Sequence, residues 1–203
     1  MLKRYQKILS CYFIVFILLL SDSLQLCYAQ QDPNAWKWKS DMSLVAKRTI
    51  SACDVSTTLI KQYYYFANLA YRATRNLNEE VIKKKNLDES MPQFGVATRH
   101  FRESLKHYQD ALDLFAKAKK MYQKAKRTAS RSYDKDLKKF KTNTAYTLKA
   151  ANKTYQNAKR TVIMGNRKFN RGNRLFNEGV DLFQRATGKK LQKRTKFHKW
   201  PAT

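Results

Sequence analysis

The sequence predicts an all-α protein, an elongated antiparallel three-helix bundle with coiled-coil-like packing. Two heptad patterns support this, each with a small residue followed four positions later by a large one. The first pairs Ala97, Ser104, Ala111 and Ala118 with Phe101, Tyr108, Phe115 and Tyr122. The second pairs Ala151, Ala158, Gly165, Gly172 and Gly179 with Tyr155, Val162, Phe169, Phe176 and Phe183. Because steps of three and four residues return a side chain to the same helix face, each pattern is a packing seam along a long helix.

Three glycines in the second seam predict close helix packing. Gly165, Gly172 and Gly179 each cost about 1 kcal/mol relative to alanine in a helix interior. A cost repeated at one heptad position indicates that something packs tightly against it. The strict period of seven also predicts left-handed supercoiling, since it holds the apolar face at 3.5 residues per turn.

The first 29 residues have the layout of a secretory signal peptide. Lys3, Arg4 and Lys7 precede an apolar run from Ile8 to Leu20, and Ala29 suits the position before a cleavage site. The run is about 13 residues long, whereas roughly 20 are needed to span a bilayer. We therefore expect cleavage after Ala29 and a secreted, extracellular protein, with an uncleaved membrane anchor as the alternative.

Cleavage would leave Cys53 as the only cysteine of the mature chain. An intramolecular disulfide is then impossible, so helix packing alone must stabilise the fold. Cys53 lies in an apolar stretch of the first helix, which favours burial as a small hydrophobic residue. A covalent dimer through Cys53 is the alternative.

The first helix of the predicted bundle, which covers residues 41–188, runs from about 41 to 84. Ser40 or Asp41 can cap it. Residues 30–40 form a lead-in whose Trp and Lys side chains alternate, and these indoles either contact a membrane interface or fold onto the bundle. The four consecutive rings from Tyr63 to Phe66 cover nearly the whole helix circumference. Some of them must therefore meet a second partner or solvent.

Two further helices follow, and the phase of the seams separates them. Residues 86–95 contain a proline and a glycine and end the first helix. The second is expected from about 96 to 130, and the third extends to about 186, before Gly188. Twelve residues separate the small positions Ser132 and Thr144, which places the two seams about 120° out of register. A turn near 132–136 corrects this, with a bent continuous helix as the alternative.

The chain is strongly basic, and its charge is unevenly distributed. The full sequence has 42 Lys and Arg against 15 Asp and Glu, a net charge of +27. The leader carries three basic residues and one acidic residue, so the mature chain keeps +25. Between Lys117 and Arg174 there are 19 basic residues but only Asp134 and Asp136 as acidic ones. Such a field attracts polyanions with a strong dependence on ionic strength.

Helical spacing gathers many of these cations into two basic stripes. Successive members are three, four or seven residues apart and therefore share a helix face. They are Lys117, Lys120, Lys124, Arg127 and Arg131 on the second helix, and Lys149, Lys153, Arg160, Arg167, Arg171 and Arg174 on the third. A face kept only for solubility usually mixes both signs. The scarcity of acidic residues favours a polyanion-binding site over a merely solvated surface.

No catalytic or metal-binding signature accompanies the stripes. His100 and His107 are seven residues apart, whereas a helix chelates one metal through residues four apart. The sequence contains no glycine-rich phosphate loop and no nucleophile elbow. We expect neither enzyme activity nor a cofactor. Asn152-Lys-Thr154 is a glycosylation sequon in the middle of a predicted helix.

Residues 189–203 are expected to be a basic, disordered tail. They carry six Lys or Arg residues together with Phe197 and Trp200. This mixture also suits contact with an anionic membrane or single-stranded nucleic acid, although no tract resembles a nucleic-acid-binding fold. Among the four Lys-Arg pairs of the predicted mature chain, only Lys193-Arg194 lies in a segment expected to be loose enough for proteolytic processing.

Together these features predict a secreted, non-enzymatic helical protein that binds extracellular polyanions, such as sulfated glycosaminoglycans, or anionic surfaces. Counterion release from a rigid basic face would supply the affinity, so we expect heparin binding. Two alternatives stay open. One is a membrane-active or antimicrobial amphipathic protein, against which the narrow seams argue. The other is a structural protein that self-associates through the rings from Tyr63 to Phe66.

Overall fold

Three long α-helices make up most of the structure, a computed structural model that describes residues 33–83, 92–131 and 137–200. Helix α1 spans Pro33–Lys83, α2 spans Pro92–Ser130 and α3 spans Leu137–Thr187. These ranges contain no strand, and the all-α prediction is confirmed. Helices of 39 and 51 residues are about 60 to 75 Å long. The predicted signal peptide, residues 1–29, lies outside the described residues.

Two helices begin earlier than predicted, and each begins at a proline. Helix α1 starts at Pro33 rather than near 41, so most of the lead-in is helical, with Trp36 exposed and Trp38 half-buried. Helix α2 starts at Pro92 rather than near 96, which places Gly95 in its first turn. Proline suits the first helical position because its ring fixes φ near the helical value and no N–H donor is needed there.

Helix α2 is the central helix of the bundle. It packs against both α1 and α3, whereas α1 and α3 share few contacts with each other. Helices α1 and α2 run antiparallel, since Asp54 pairs with Lys119 while Tyr71 accepts a hydrogen bond from Arg102. The bundle is therefore open on one side, where a groove lies between α1 and α3 above α2.

The two predicted seams meet at the interface of α2 and α3. The ring–glycine contacts are Tyr108 with Gly165, Phe101 with Gly172 and Phe94 with Gly179. Each step of seven along α3 is matched by a step of seven back along α2, so these helices are antiparallel and the predicted division between them is confirmed. A Cβ atom at these glycines would lie 2.7 to 2.9 Å from a ring carbon. The close packing predicted from the glycines is thus also confirmed, while left-handed supercoiling stays a prediction.

Helix α1 has a heptad face that the sequence analysis did not single out. Its buried members recur every seven residues and are Ala46, Cys53, Ile60, Ala67, Thr74 and Val81. The period is hard to see in the sequence, because the six positions carry aliphatic side chains of different size, one thiol and one hydroxyl rather than one residue type. Cys53 is a buried small residue, as predicted, and burial raises the pKa of its thiol to about 11. A largely protonated, enclosed thiol is a poor candidate for a covalent dimer.

Candidate polyanion interface and C-terminal groove

All eleven residues of the two predicted basic stripes are exposed, each on the side of its helix that faces away from the core. Ala118, Tyr122 and Ala125 are buried on the core side of α2, as are Ala151 and Ala158 on α3. None of the eleven forms an ion pair with another described residue. Their charge is therefore not neutralised within the described part of the chain.

The four described carboxylates that form ion pairs all pair with cations outside the stripes. The interhelical and tail pairs are Asp54 with Lys119, Glu103 with Lys168 and Asp181 with Lys193. The hydrogen bond from Lys168 lowers the pKa of the Glu103 carboxyl. These ion pairs neutralise cations outside the stripes and leave the positive charge of both stripes unpaired.

The antiparallel register places the two stripes side by side over only part of their length. Tyr122 donates a hydrogen bond to Asn152 at 2.5 Å. The stripe of α2 is therefore level with Lys149 and Lys153 of α3. The remaining cations of α3 lie level with the N-terminal half of α2 and are Arg160, Arg167, Arg171 and Arg174. The α3 stripe alone extends for about 38 Å.

An open groove between α1 and the C-terminal end of α2 adds to the α2 stripe. Its volume is about 390 Å³, and its lining residues are Ile50, Gln123, Lys126, Arg127, Ser130 and Arg131. Arg127 and Arg131 thus stand beside a third cation, Lys126, and a side-chain amide that can donate a hydrogen bond to an oxyanion. The spacing of the stripe could not identify Lys126 and Gln123, because both lie to one side of it.

Residues 188–200, hereafter the C-terminal segment, lie as an extended chain in the groove between α1 and α3, where a disordered tail was predicted. Asn170 donates to the carbonyl of His198 and accepts from its N–H, each at 2.9 Å. Asn177 binds both backbone groups of Arg194 in the same way, at 2.9 and 2.8 Å. Two more amides donate to carbonyls of the segment, Asn173 to Lys196 and Gln184 to Leu191. These bonds supply the order that the tail's composition did not predict.

The spacing of these amides matches an extended chain that runs back along α3. Gly188 starts the reversal with a φ of 68°, a conformation that glycine adopts without a Cβ clash. From Gln184 to Asn170 the helix rises about 21 Å. From Leu191 to His198 an extended chain rises about 23 Å. Each residue of the segment therefore advances as far as about two residues of the helix.

Three side chains of the C-terminal segment enter the groove. Arg194, His198 and Trp200 are partly or fully buried, whereas Thr195, Lys196 and Phe197 are exposed. The inward positions are four and two residues apart, an even spacing that extended backbone allows. The sequence did not reveal them because two of the three are cationic or polar and the exposed Lys196 interrupts the alternation.

Arg194 occupies the first of three side-chain binding sites of the groove, hereafter called seats. Two aromatic rings form it. The guanidinium of Arg194 lies 4.4 Å from the ring centroid of Phe176 and 5.3 Å from that of Phe101, within cation–π range. Nη2 donates to the carbonyl of Ala70 and the hydroxyl of Thr74, each at 3.2 Å. Burial lowers the pKa of Arg194 to about 10. The arginine of the predicted processing site is thus held within the groove.

His198 occupies a second seat. Its ring is 2% exposed and stacks on Phe169 and Tyr63, with centroids 3.8 and 4.4 Å apart. Nδ1 lies 2.8 Å from the hydroxyl of Tyr108, which donates to Asn166 in an alternative bond of equal length. Burial lowers the pKa of His198 to about 4. The imidazole is therefore neutral near pH 7.

The aromatic run of α1 contributes to this groove. Tyr63 donates a hydrogen bond to the carbonyl of Lys199, and the ammonium of Lys196 lies 3.3 Å over the ring of Phe66. Tyr65 is 59% exposed. Two of the four rings thus meet the chain's own C-terminal segment, and one faces solvent.

Comparisons with protein-family models, curated proteins and solved structures give no significant match. In the three described ranges, no helix combines the length and apolar character needed to cross a bilayer. The same ranges hold no group of three His, Cys, Asp or Glu side chains placed to bind a metal ion. Function must therefore be inferred from the geometry and charge of this chain itself.

Proposed function

We propose that this protein is a secreted, non-enzymatic helical bundle that binds extracellular polyanions through the basic stripes of α2 and α3. The observation that supports this most is the exposure of all eleven stripe cations, none of which pairs with a described carboxylate. A sulfated glycosaminoglycan is the favoured ligand class, since it is a linear polymer with closely repeated anionic groups. Release of its condensed counterions would drive binding.

Regular spacing along α3 fits such a linear ligand. Arg160, Arg167 and Arg174 recur every seven residues, about 10.5 Å apart along the axis. Their guanidinium groups can each bind two oxygens of a sulfate or phosphate. We further propose that coiled-coil-like packing holds this face rigid, which limits the conformational entropy lost on binding. The groove beside Arg127 and Arg131 would hold a further anionic group.

Heparin affinity chromatography with charge-matched variants tests the proposal. The stripe variant carries Gln at Arg160, Arg167 and Arg174, whereas the control variant carries Gln at Arg48, Lys61 and Arg72 of α1. All six residues are exposed, so circular dichroism should show the wild-type helical content in both variants.

Each variant loses three positive charges, so net charge alone would shift both elution positions equally. We expect the wild-type chain to be retained at about 0.15 M salt, the stripe variant to elute at clearly lower salt, and the control to elute near the wild type. Flow-through of the wild-type chain would refute polyanion binding. Equal shifts of the two variants would refute the assignment to α3.

A further inference from the structure

We propose that the groove between α1 and α3 is a receptor for an extended peptide from a partner protein, and that the C-terminal segment is a built-in occupant which this peptide displaces. The inference is independent of polyanion binding, because it uses none of the eleven stripe residues. The partner peptide would carry an arginine, a flat ring four positions later and a large aromatic residue two positions after that.

The groove binds main chain as well as side chains. Asn170 and Asn177 each bind both the N–H and the C=O of a single residue. A side-chain amide has one acceptor and two donors, so it can replace the neighbouring strand that an extended peptide would otherwise need. These contacts recognise extended backbone in one register, whatever side chains the peptide carries.

Three seats then select the side chains. The first accepts a cation between Phe101 and Phe176 and offers it hydrogen-bond acceptors on α1. The second holds a flat ring between Phe169 and Tyr63. The third stacks Trp200 on Phe115, with centroids 6.2 Å apart and planes inclined by 11°. The seats correspond to positions 194, 198 and 200 of the present occupant.

The present occupant leaves several polar atoms of this site without a hydrogen-bond partner among the described residues. They are Asn166 Nδ2 and Asn173 Oδ1 in the groove, and Arg194 Nε, His198 Nε2 and Trp200 Nε1 on the segment. Buried polar atoms left unpaired weaken an association. A peptide whose side chains pair with Asn166 and Asn173 would therefore compete with the C-terminal segment.

The connection to α3 allows the segment to leave. Lys189 and Lys190 are exposed, and a Cβ atom added at Gly188 would have nothing within 4 Å. Hydrogen bonds of this turn lie close to the helix end, where the N–H of Gly188 donates to the carbonyl of Gln184 and the N–H of Lys189 donates to the hydroxyl of Thr187. The segment can thus be displaced without unwinding α3.

A labelled synthetic peptide of residues 188–203, added to full-length variants, tests the proposal by fluorescence anisotropy. Arg194→Ala weakens the chain's own occupant and increases the fraction of open grooves. Because the apparent Kd is the intrinsic Kd divided by that fraction, we expect the peptide to bind this variant about tenfold or more tightly than it binds the wild-type chain. Thr195→Ala is the matched control, since Thr195 is exposed in the same segment, and it should behave as wild type.

Two altered peptides separate seat recognition from charge. Arg194→Glu in the peptide removes the side chain of the first seat, whereas Lys199→Glu changes an exposed position by the same charge. We expect the first peptide not to bind the Arg194→Ala chain and the second to bind it nearly as well as the unaltered peptide. Equal binding of the two would overturn the proposal.

Helical content by circular dichroism checks that the weakened chain is folded, and Arg194→Lys replaces Arg194→Ala if that content falls. No peptide binding by a folded variant would overturn the proposal. A doubled mass in light scattering without peptide binding would also overturn it, because the groove would then belong to the segment of a second copy.

Discussion

At the residue scale, Gly172 shows how a poor helix former can stabilise the bundle. Glycine costs about 1 kcal/mol relative to alanine in a helix interior. The ring of Phe101 occupies the space that a side chain would need, and this ring is fully buried against its neighbours. Because a packed ring cannot move aside freely, packing outweighs helix propensity at this position.

Gly172→Ala should therefore destabilise the fold by about 1 to 3 kcal/mol, the usual cost of overpacking. The added Cβ would lie 2.7 Å from Phe101 Cε1. Gly95→Ala is the control, because its Cβ would meet only Asn78, at 3.8 Å, and should stabilise α2 by up to about 1 kcal/mol. Urea unfolding followed by circular dichroism measures both, and equal stabilities would contradict ring-in-glycine packing.

His198 makes the binding of the C-terminal segment to the groove depend on pH. Burial lowers its pKa from 6.5 to about 4, so the folded state binds this proton less readily than the unfolded state. The stabilising contribution is therefore fully present above pH 6.5 and is lost as the pH falls towards 4. The shift corresponds to a contribution on the order of 3 kcal/mol.

We expect amide hydrogen exchange in residues 194–200, corrected for intrinsic rates, to be faster at pH 5 than at pH 7. His198→Phe keeps a flat ring in the seat but cannot bind a proton, so it should remove most of the difference. His100 contributes in the same direction, because burial also lowers its pKa. Protection that is equal at both pH values in the wild-type chain would contradict the buried, neutral imidazole.

At the element scale, an extended segment closes the side of the bundle that three helices leave open. The rings of Tyr63, Phe101 and Phe169 line a groove because α1 and α3 do not pack together along it. Amides on α3 bind the backbone of the segment, and the side chains of Arg194, His198 and Trp200 fill the groove. One short strand-like segment thus takes the place of a fourth helix.

Limited trypsin digestion tests this arrangement of the segment. We expect early cleavage after Lys189 or Lys190, which are exposed, and late cleavage after Arg194, whose side chain is held between two rings. Mass spectrometry of the first fragments identifies the order, with the urea-unfolded chain as the control that should lose the preference. An early fragment that ends at Arg194 would show that the segment is loose.

The sequence predicted the interface of α2 and α3 because its seams repeat two distinctive residue types, glycine and aromatic, at every seventh position. It did not predict the face of α1, where Cys53, Ile60 and Thr74 share one heptad position. The groove was not predicted either, because its contacts join residues that lie far apart in the sequence. One available signal was the set of amides at positions 166, 170, 173 and 177 on a single side of α3.

At the scale of the whole molecule, the cations fall into groups with different roles. Arg194 and Lys196 hold the C-terminal segment through aromatic rings. Lys119, Lys168 and Lys193 neutralise carboxylates. The eleven exposed stripe residues do neither, and we propose that they bind an anionic polymer. The basic stripes were predicted from helical spacing alone, and the structure places all of them on the exterior.

The salt dependence of heparin binding tests polyanion recognition most directly. For the full-length chain we predict that the logarithm of the affinity falls linearly with the logarithm of salt concentration. The Gln variant at Arg160, Arg167 and Arg174 should show a shallower slope, and the α1 control variant should keep the wild-type slope. For DNA each neutralised phosphate contributes about 0.9 to the slope, so three lost contacts should be measurable. An affinity independent of salt, or a slope unchanged in the stripe variant, would contradict binding through the basic stripes.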